Sequence, residues 1–417
     1  MHVVIVAHTR HPVRQPFAGG LESVSWHLTR GLAERGHRVS VFAARGSDRI
    51  PGVEHLWPDE LPLSDAARAD VSMPDEGWLR RHHAYLSLML QLARRDDIDL
   101  VHTHALHHLP TAMAPTLPVP TLLSLHTPPT PWLESAIRIA LAGDRAPSLH
   151  ATAVSAHTAR AWEHVVRAQV VRNGVDTEVW RAGDGGGPLV WSGRIVPEKA
   201  PHVAVRIARE AGLPLVLAGP VADEDYARSV LWPLCDDDAV TYAGHLSDTA
   251  LAALVGAASA ALVTPAWDEP FGLVAAEALA CGTPVLGLRR GGLPEVVGPE
   301  VGRLVSPEGG EDEVVARGAA ALPEVLGLSR AACRAVAESE HSMDRMVDGY
   351  LAVYGSIVPE RSSSLAPLPA PGAARPDPLS SLRRPVGPAR PGTPAASPAR
   401  AHGRAAAPAV DLGTGTP

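Results

Sequence analysis

Short apolar runs alternate with stretches of helical spacing over the first 355 residues. Residues 2–7 read as a continuous apolar strand, as expected of a central parallel strand covered on both faces. A long loop follows at 8–20, HTRHPVRQPFAGG. Then come a helix over 21–35 spaced by Val24, Leu28 and Leu32, and a strand over 39–43. A second long helix over 78–95 puts Leu79, His82, Leu86, Met89 and Ala93 on one face. Its paired arginines at both ends suit solvated helix ends better than a membrane anchor, because a strand follows at 98–101. Strands at 119–125, 149–154 and 169–172 complete a first doubly wound half. Residues 183–187, GDGGG, read as a hinge. The pattern then restarts, with strands at 189–192, 214–218, 239–242, 260–263 and 285–288 and helices at 199–211, 251–257, 311–322 and 341–354. The fold class expected is α/β, two Rossmann-like domains over 1–182 and 188–340.

The stretch 264–285, TPAWDEPFGLVAAEALACGTPV, concentrates the chemistry. An apolar strand ends, and a short loop carries Asp268 and Glu269. Pro270 and Gly272 open a helix that Gly282 and Pro284 close. A strand feeding a helix with glycine in its first turn makes an anion site, since free N–H groups and the helix dipole point there. Glu269 and Glu277 flank that site, and an acid inside an apolar helix needs a partner. A negatively charged ligand with hydroxyls on either side, such as a nucleotide sugar, fits.

Composition narrows the classes. The net charge of −8 disfavours nucleic acid as the main partner. Three isolated cysteines, Cys235, Cys281 and Cys333, give neither a disulfide framework nor a thiolate metal site, which points to a reducing, cytoplasmic setting. The N-terminus lacks a basic segment and cleavage site of a signal peptide, and no apolar run is long enough to span a bilayer. Residues 356–417 hold 13 of the 40 prolines and carry a net +4, so a disordered basic tail is expected, with −12 on the rest. Lys199 is the single lysine among 37 basic residues, which invites a functional reading of it.

Gly193-Arg194 followed by Glu198-Lys199 ends a strand, and arginine with lysine suits a diphosphate leaving group. A surface ion pair between Glu198 and Arg194 is the plain alternative. His126 ends a strand where open α/β sheets bind ligands, and could donate to a developing charge or be satisfied by loop carbonyls. His102, His104, His107 and His108 form a cluster better suited to a loop lining the cleft than to zinc. Asp236-Asp237-Asp238 is an acid triplet best read as a solvated loop rather than a metal site. Asn173-Gly174-Val175-Asp176 reads as a turn; Gly291-Gly292-Leu293-Pro294-Glu295 leaves a turn and a ribose or sugar contact both open.

With Glu269-x7-Glu277, Phe271-Gly272, Gly19-Gly20, His126, Arg194 and Lys199 in this order, the chain resembles the retaining glycosyltransferases of family 4, built on the GT-B fold. The resemblance runs from Met1 to about Tyr354. It implies two domains facing across a cleft, with the last helix (341–355) packing back onto the first. It implies that Arg194 and Lys199 bind the donor diphosphate and that Phe271, Gly272 and Leu273 sit at the donor, with backbone N–H groups from the last two. Glu277 would hold the ribose and Glu269 the sugar hydroxyls. Gly20 would let the backbone approach the phosphates, and His126 would lie beside the reacting carbon. It implies a nucleotide-sugar donor, UDP- or GDP-linked, a hydroxyl acceptor (small molecule, glycan or lipid-linked), retained configuration, and no required cofactor or metal. Two departures stand out. The loop 8–20 is long and basic, carrying Arg10, His11 and Arg14, and Ala200 follows Lys199 where glycine is more usual.

A sugar phosphorylase on the same fold would use the extra cations of that loop, and a sugar-nucleotide epimerase shares the fold. A non-catalytic binder is disfavoured by the intact Arg194, Lys199, Glu269 and Glu277 set. A dinucleotide oxidoreductase is disfavoured because no G-x-G-x-x-G follows the first strand. The acidic body gives a membrane partner no support.

Overall fold

The computed structural model describes residues 1–72, 75–142, 149–235 and 239–358. Every position of β1 (His2–Val6) is buried, because parallel neighbours flank it and helices cover both faces. It joins β2 (Arg38–Phe42), β3 (Glu54–Leu56), β4 (Leu100–Thr103), β5 (Thr121–Leu125), β6 (Leu149–Ala153) and β7 (Gln169–Val170). The seven form one parallel sheet in the order β3-β2-β1-β4-β5-β6-β7. A second parallel sheet is built from β8 (Leu189–Ser192), β9 (Leu215–Ala218), β10 (Val240–Tyr242), β11 (Ala261–Val263), β12 (Val285–Leu288) and β13 (Gly302–Val305), ordered β10-β9-β8-β11-β12-β13. Each sheet reverses its strand order once, between β1 and β4 and between β8 and β11. Ligands of open α/β sheets bind outside the carboxyl ends at such points. These two doubly wound sheets are the GT-B arrangement.

The chain's last described helix, Met343–Ile357, does not stay with the second sheet. Its Met346, Val347, Tyr350 and Tyr354 pack in one cluster with Val3, Ile5, Leu28 and Leu32 beneath the first sheet. The Asn173-Gly174-Val175-Asp176 segment stitches it in place: Val175 N–H donates to His341 O at 2.8 Å, and Met343 N–H donates to Val175 O at 3.0 Å. A Cβ on Gly174 would lie 2.7 Å from Met343 Cα and from Ser342 O. Gly174→Ala is therefore expected to cost about 1–3 kcal/mol by overpacking, read as a lower urea midpoint with an unchanged slope.

Several elements differ from the sequence reading. The long helix spans Glu76–Leu92 and buries Ala84, Tyr85, Leu88, Met89 and Leu92; of the expected face Met89 is buried and Ala93 packs against the same cluster, while Leu79, His82 and Leu86 do not belong to it. Tyr85 decides the phase, its ring packing on Phe42 and its hydroxyl donating to Ala7 O. The helix expected from residue 199 begins only at Pro201. Lys199 instead closes a 3₁₀ turn, Pro197–Lys199, and Ala200 takes φ +44° between the two. The helices Pro131–Leu141, Ala156–Trp162 and Arg330–Glu340 and the strands β3 and β13 are additional. Arg330–Glu340 buries only Cys333 and Ala337, too small an apolar stripe to stand out. Its arginines have long reach: Arg330 donates to Gly183 O, Gly256 O, Ala258 O and Cys281 O. Residues 183–187 are further bonded through Gly183, Gly185 and Gly187 N–H to Cys281, Gly256 and Ala257, so this glycine run is anchored to the second sheet's helices. The expected tail beyond residue 358 and the Asp236–Asp238 triplet lie outside the described residues. Among the described residues no helix is long and apolar enough to cross a membrane.

Candidate functional site

The carboxyl ends of β8 and β11 bring the single lysine and the first motif acid together. Lys199 Nζ donates to Glu269 Oε2 at 2.5 Å, and Trp267 Nε1 donates to the same oxygen at 3.2 Å. The ammonium also lies 5.3 Å from the Trp267 ring centroid, a cation–π distance. Two backbone ties fix the loops that carry them: Ala266 N–H donates to Glu198 O at 2.9 Å, and Thr264 Oγ1 donates to Ala200 O at 3.0 Å. A small cavity lined by Trp191, Gly193, Lys199, Thr264, Glu269 and Val274 opens beside the pair. A larger one of about 290 Å³ lies between β3 and the helix Glu76–Leu92, lined by other residues.

The Gly291-Gly292 turn acts on the same loop. Gly291 has φ +58°, and a Cβ there would fall 2.1 Å from Glu269 O and 2.5 Å from Glu269 N; Gly292 N–H donates to Glu269 O at 2.6 Å. Of the two readings left open by the sequence, the turn is what these contacts describe: a support under Glu269. Glu295 has a different use. Its two oxygens accept from Ala156 N–H at 2.8 Å and His157 N–H at 2.7 Å, capping a helix of the first half with a carboxylate of the second. Ser155 Oγ donates to Pro270 O at 2.5 Å alongside. Neither junction has a local sequence signature.

Two helices begin at this cleft without a side-chain cap. Leu273–Ala280 starts from Gly272 at φ +99°, and Gly20–Glu34 starts from extended Gly19. Most other helices of the chain are capped by Ser, Thr, Asp or His side chains. Uncapped N–H groups plus the dipole leave both starts suited to an anion. They also touch, since a Cβ on Gly20 would sit 3.2 Å from Leu273 Cδ2. Phe271 is a correction: its ring is 2% exposed and packs edge-on to His341 in the second half's core, so its side chain is not available to a ligand.

Arg194 is exposed and lies 3.3 Å from Glu198, so the plain alternative, a surface ion pair, is present. Such a pair is weak and leaves most of the guanidinium fork free. Its charge is felt in the first half by His11 and by Glu22. Glu22, missed in the sequence, is a buried acid in the first turn of Gly20–Glu34; burial pushes its carboxyl up, against the pull of Arg194 and Arg10.

Glu277 sits just over one turn into its helix, where burial, and secondarily Asp248, push its carboxyl up to about 8. The folded chain thus holds a proton there that the unfolded chain releases above its ordinary value of 4.5. Stability should fall as pH rises between these two values. Urea unfolding across that window should show the slope in the parent and lose it in Glu277→Gln; equal slopes would mean that the carboxyl is not held neutral. Hydroxyls donating to the carboxylate would instead draw the proton off.

In the first half, half-buried His126 ends β5, and its Nε2 lies 2.9 Å from Nδ1 of buried His104. Burial lowers His126 to about 4, so it meets a ligand as neutral imidazole. His102 does not line the cleft as expected; it is buried between Tyr354 OH at 2.7 Å and Ser124 Oγ at 2.8 Å. His107 and His108 are half-buried, in a run of rings where His108 stacks on His107 at 4.4 Å and on exposed Trp132 at 4.9 Å.

The model described as Glycosyltransferase Family 4 matches residues 18–179, and that described as Glycosyl transferases group 1 matches residues 180–324. A D-inositol 3-phosphate glycosyltransferase of Mycobacterium avium is 30% identical over 415 residues, covering 86% of this chain and 94% of that protein. A glycogen synthase of Mycobacterium tuberculosis is 29% identical over 336 residues, covering 71% and 80%. Anabaena HepE, solved in complex with UDP-glucose, superposes with a TM-score of 0.63 at 18% identity, covering 85% of this chain and all of that one.

Proposed function

The chain belongs to glycosyltransferase family 4, and we propose that it moves a hexose from a UDP- or GDP-sugar to a hydroxyl with retention of configuration. The observation that carries this reading is the Lys199–Glu269 pair at an uncapped helix start, with Arg194 exposed beside it. The UDP-glucose complex of HepE supports the donor class.

The roles follow from charge. Breaking the sugar–diphosphate bond builds negative charge on the leaving oxygens. Arg194, Lys199 and the N–H groups at Leu273 stabilise it where it develops. A donor seated there separates Lys199 from Glu269. The ammonium is left to the diphosphate, and the carboxylate, still held by Trp267, is left to the sugar hydroxyls. Glu277 takes the ribose, and Gly20 lets the first half's backbone come close to the phosphates. With side-chain cations in these places, no metal is needed in this reading. The acceptor enters from the first half, over the His107–His108–Trp132 rings. Exposed Arg10 and His11 nearby, and the relatives named for D-inositol 3-phosphate, make a phosphorylated polyol the first acceptor to try. The three cysteines, none in a disulfide, suit the cytoplasm.

Thermal melting with a panel of UDP-, GDP- and ADP-sugars, without added metal, tests the donor: one sugar should raise the midpoint, and Lys199→Ala should abolish the shift. Proton NMR of the product's anomeric signal then tests retention. A shift with inorganic phosphate or a sugar phosphate alone would favour the phosphorylase.

A further inference from the structure

We propose that His104 is a positioning residue which locks His126 in its Nδ1–H tautomer, making His126 a hydrogen-bond donor toward the cleft. The two rings share one hydrogen bond, His104 Nδ1 to His126 Nε2 at 2.9 Å. Each neutral imidazole carries one N–H, so either His104 donates or His126 does. His104 is fully buried, and its other nitrogen, Nε2, has no partner among the described residues. His102 cannot serve as one: its ring lies 4.1 Å away, but its nitrogens are bonded to Tyr354 and Ser124. If His126 donated, the proton of His104 would sit on Nε2, a buried N–H with nothing to accept it. If His104 donates, only a lone pair is left there. Orphaned buried N–H groups are the rarer and costlier omission. His104 therefore donates, His126 accepts at Nε2, and the proton of His126 stands on Nδ1.

No other group competes for the pair. The rings facing His104 are His102 on β4, His126 after β5 and Tyr350 on the helix Met343–Ile357. Among the described residues the titratable groups that act on it are His102 and His126, and burial keeps both neutral. His126 Nδ1 has no partner within the described residues, so its N–H is left for a ligand oxygen. This role rests on the proposed transfer reaction, in which His126 borders the reacting sugar.

The test uses the full-length protein, with ¹⁵N-histidine NMR, His104→Asn and His104→Leu. The asparagine amide N–H can stand where Nδ1–H stood; leucine removes the donor. In the parent, His126 should show a protonated Nδ1 and a bare Nε2. His104→Asn should keep that pattern and transfer sugar within a few-fold of the parent. His104→Leu should lose about 10- to 100-fold in kcat, the worth of one well-placed hydrogen bond, with donor KM unchanged. Its His126 should also lose the parental tautomer, because Nε2 no longer accepts from a donor and is free to carry the proton. A parent His126 protonated at Nε2 overturns the proposal, as does a His104→Leu enzyme with parental rate and parental His126 tautomer, or an equally slow, folded His104→Asn. If the leucine variant does not fold, the NMR pattern and the asparagine variant still decide. A parent that transfers no sugar defeats the reaction assignment, while the tautomer remains readable.

Discussion

Replacing Lys199 with alanine lowers sugar transfer by about 10²–10³-fold, the scale seen when one preorganised charge-stabilising donor is removed. The loss falls on donor affinity and on kcat together, because the ammonium meets an anionic diphosphate in the bound donor and holds it more strongly as the bond breaks. Lys199→Arg does not restore it: the site holds a compact ammonium 2.5 Å from Glu269 Oε2 and against Trp267, and a planar fork has different reach and geometry. Glu269→Ala loses activity on the same scale, and the double variant is far from additive, because each partner holds the other in the free protein. Both variants fold. The side chains are 23% and 15% exposed, and water reaches whichever one remains. Steady-state kinetics with circular dichroism as the control decides; normal turnover in either variant removes the site assignment.

Gly291→Ala comes next in size, acting on the backbone of Glu269 and not on the carboxylate that meets the ligand. Its Cβ would press within 2.1 Å of Glu269 O, so the loop must move. A displacement of roughly 1 Å at a positioned carboxylate costs about 10²-fold in rate. Gly291 itself is only half-buried, although Leu293 two residues on belongs to the core around β11 and β12, so the expected signature is a folded, slow enzyme with a modest loss of stability. An active Gly291→Ala enzyme would show that the loop adapts and that the turn does not position Glu269.

How much of this was legible beforehand depended on whether the cause was local. The strand–loop–helix at 264–285 and the doubly wound pattern are local, and both lie where periodicity and punctuation put them. Trp267, Glu22, Glu295 and His104 take their meaning from residues far off in sequence, and no local pattern marks such contacts. The helix expected from residue 199 starts late because Pro201 does not sit inside a helix already begun. It is in fact that helix's first residue, and Ala200 before it takes a left-handed conformation usually given to glycine. The face of Glu76–Leu92 was misphased because Tyr85 was not counted among its buried positions. Phe271 was assigned by its place in the motif, whereas its ring completes the second half's core.

The helix Met343–Ile357 gives the chain an inverted order of completion. The first sheet is made first, yet the cluster around Val3, Ile5 and Leu28 receives Tyr350 and Tyr354 only at the end. The roughly 170 residues between β7 and this helix take about 10–35 s to synthesise at ordinary ribosomal speed. Through that interval the first half carries an open apolar face, while the second half already has its own strands and helices in hand. The half that leaves the ribosome first is thus the last to become native, and a gene cut between the two sheets would yield an amino-terminal fragment prone to aggregate.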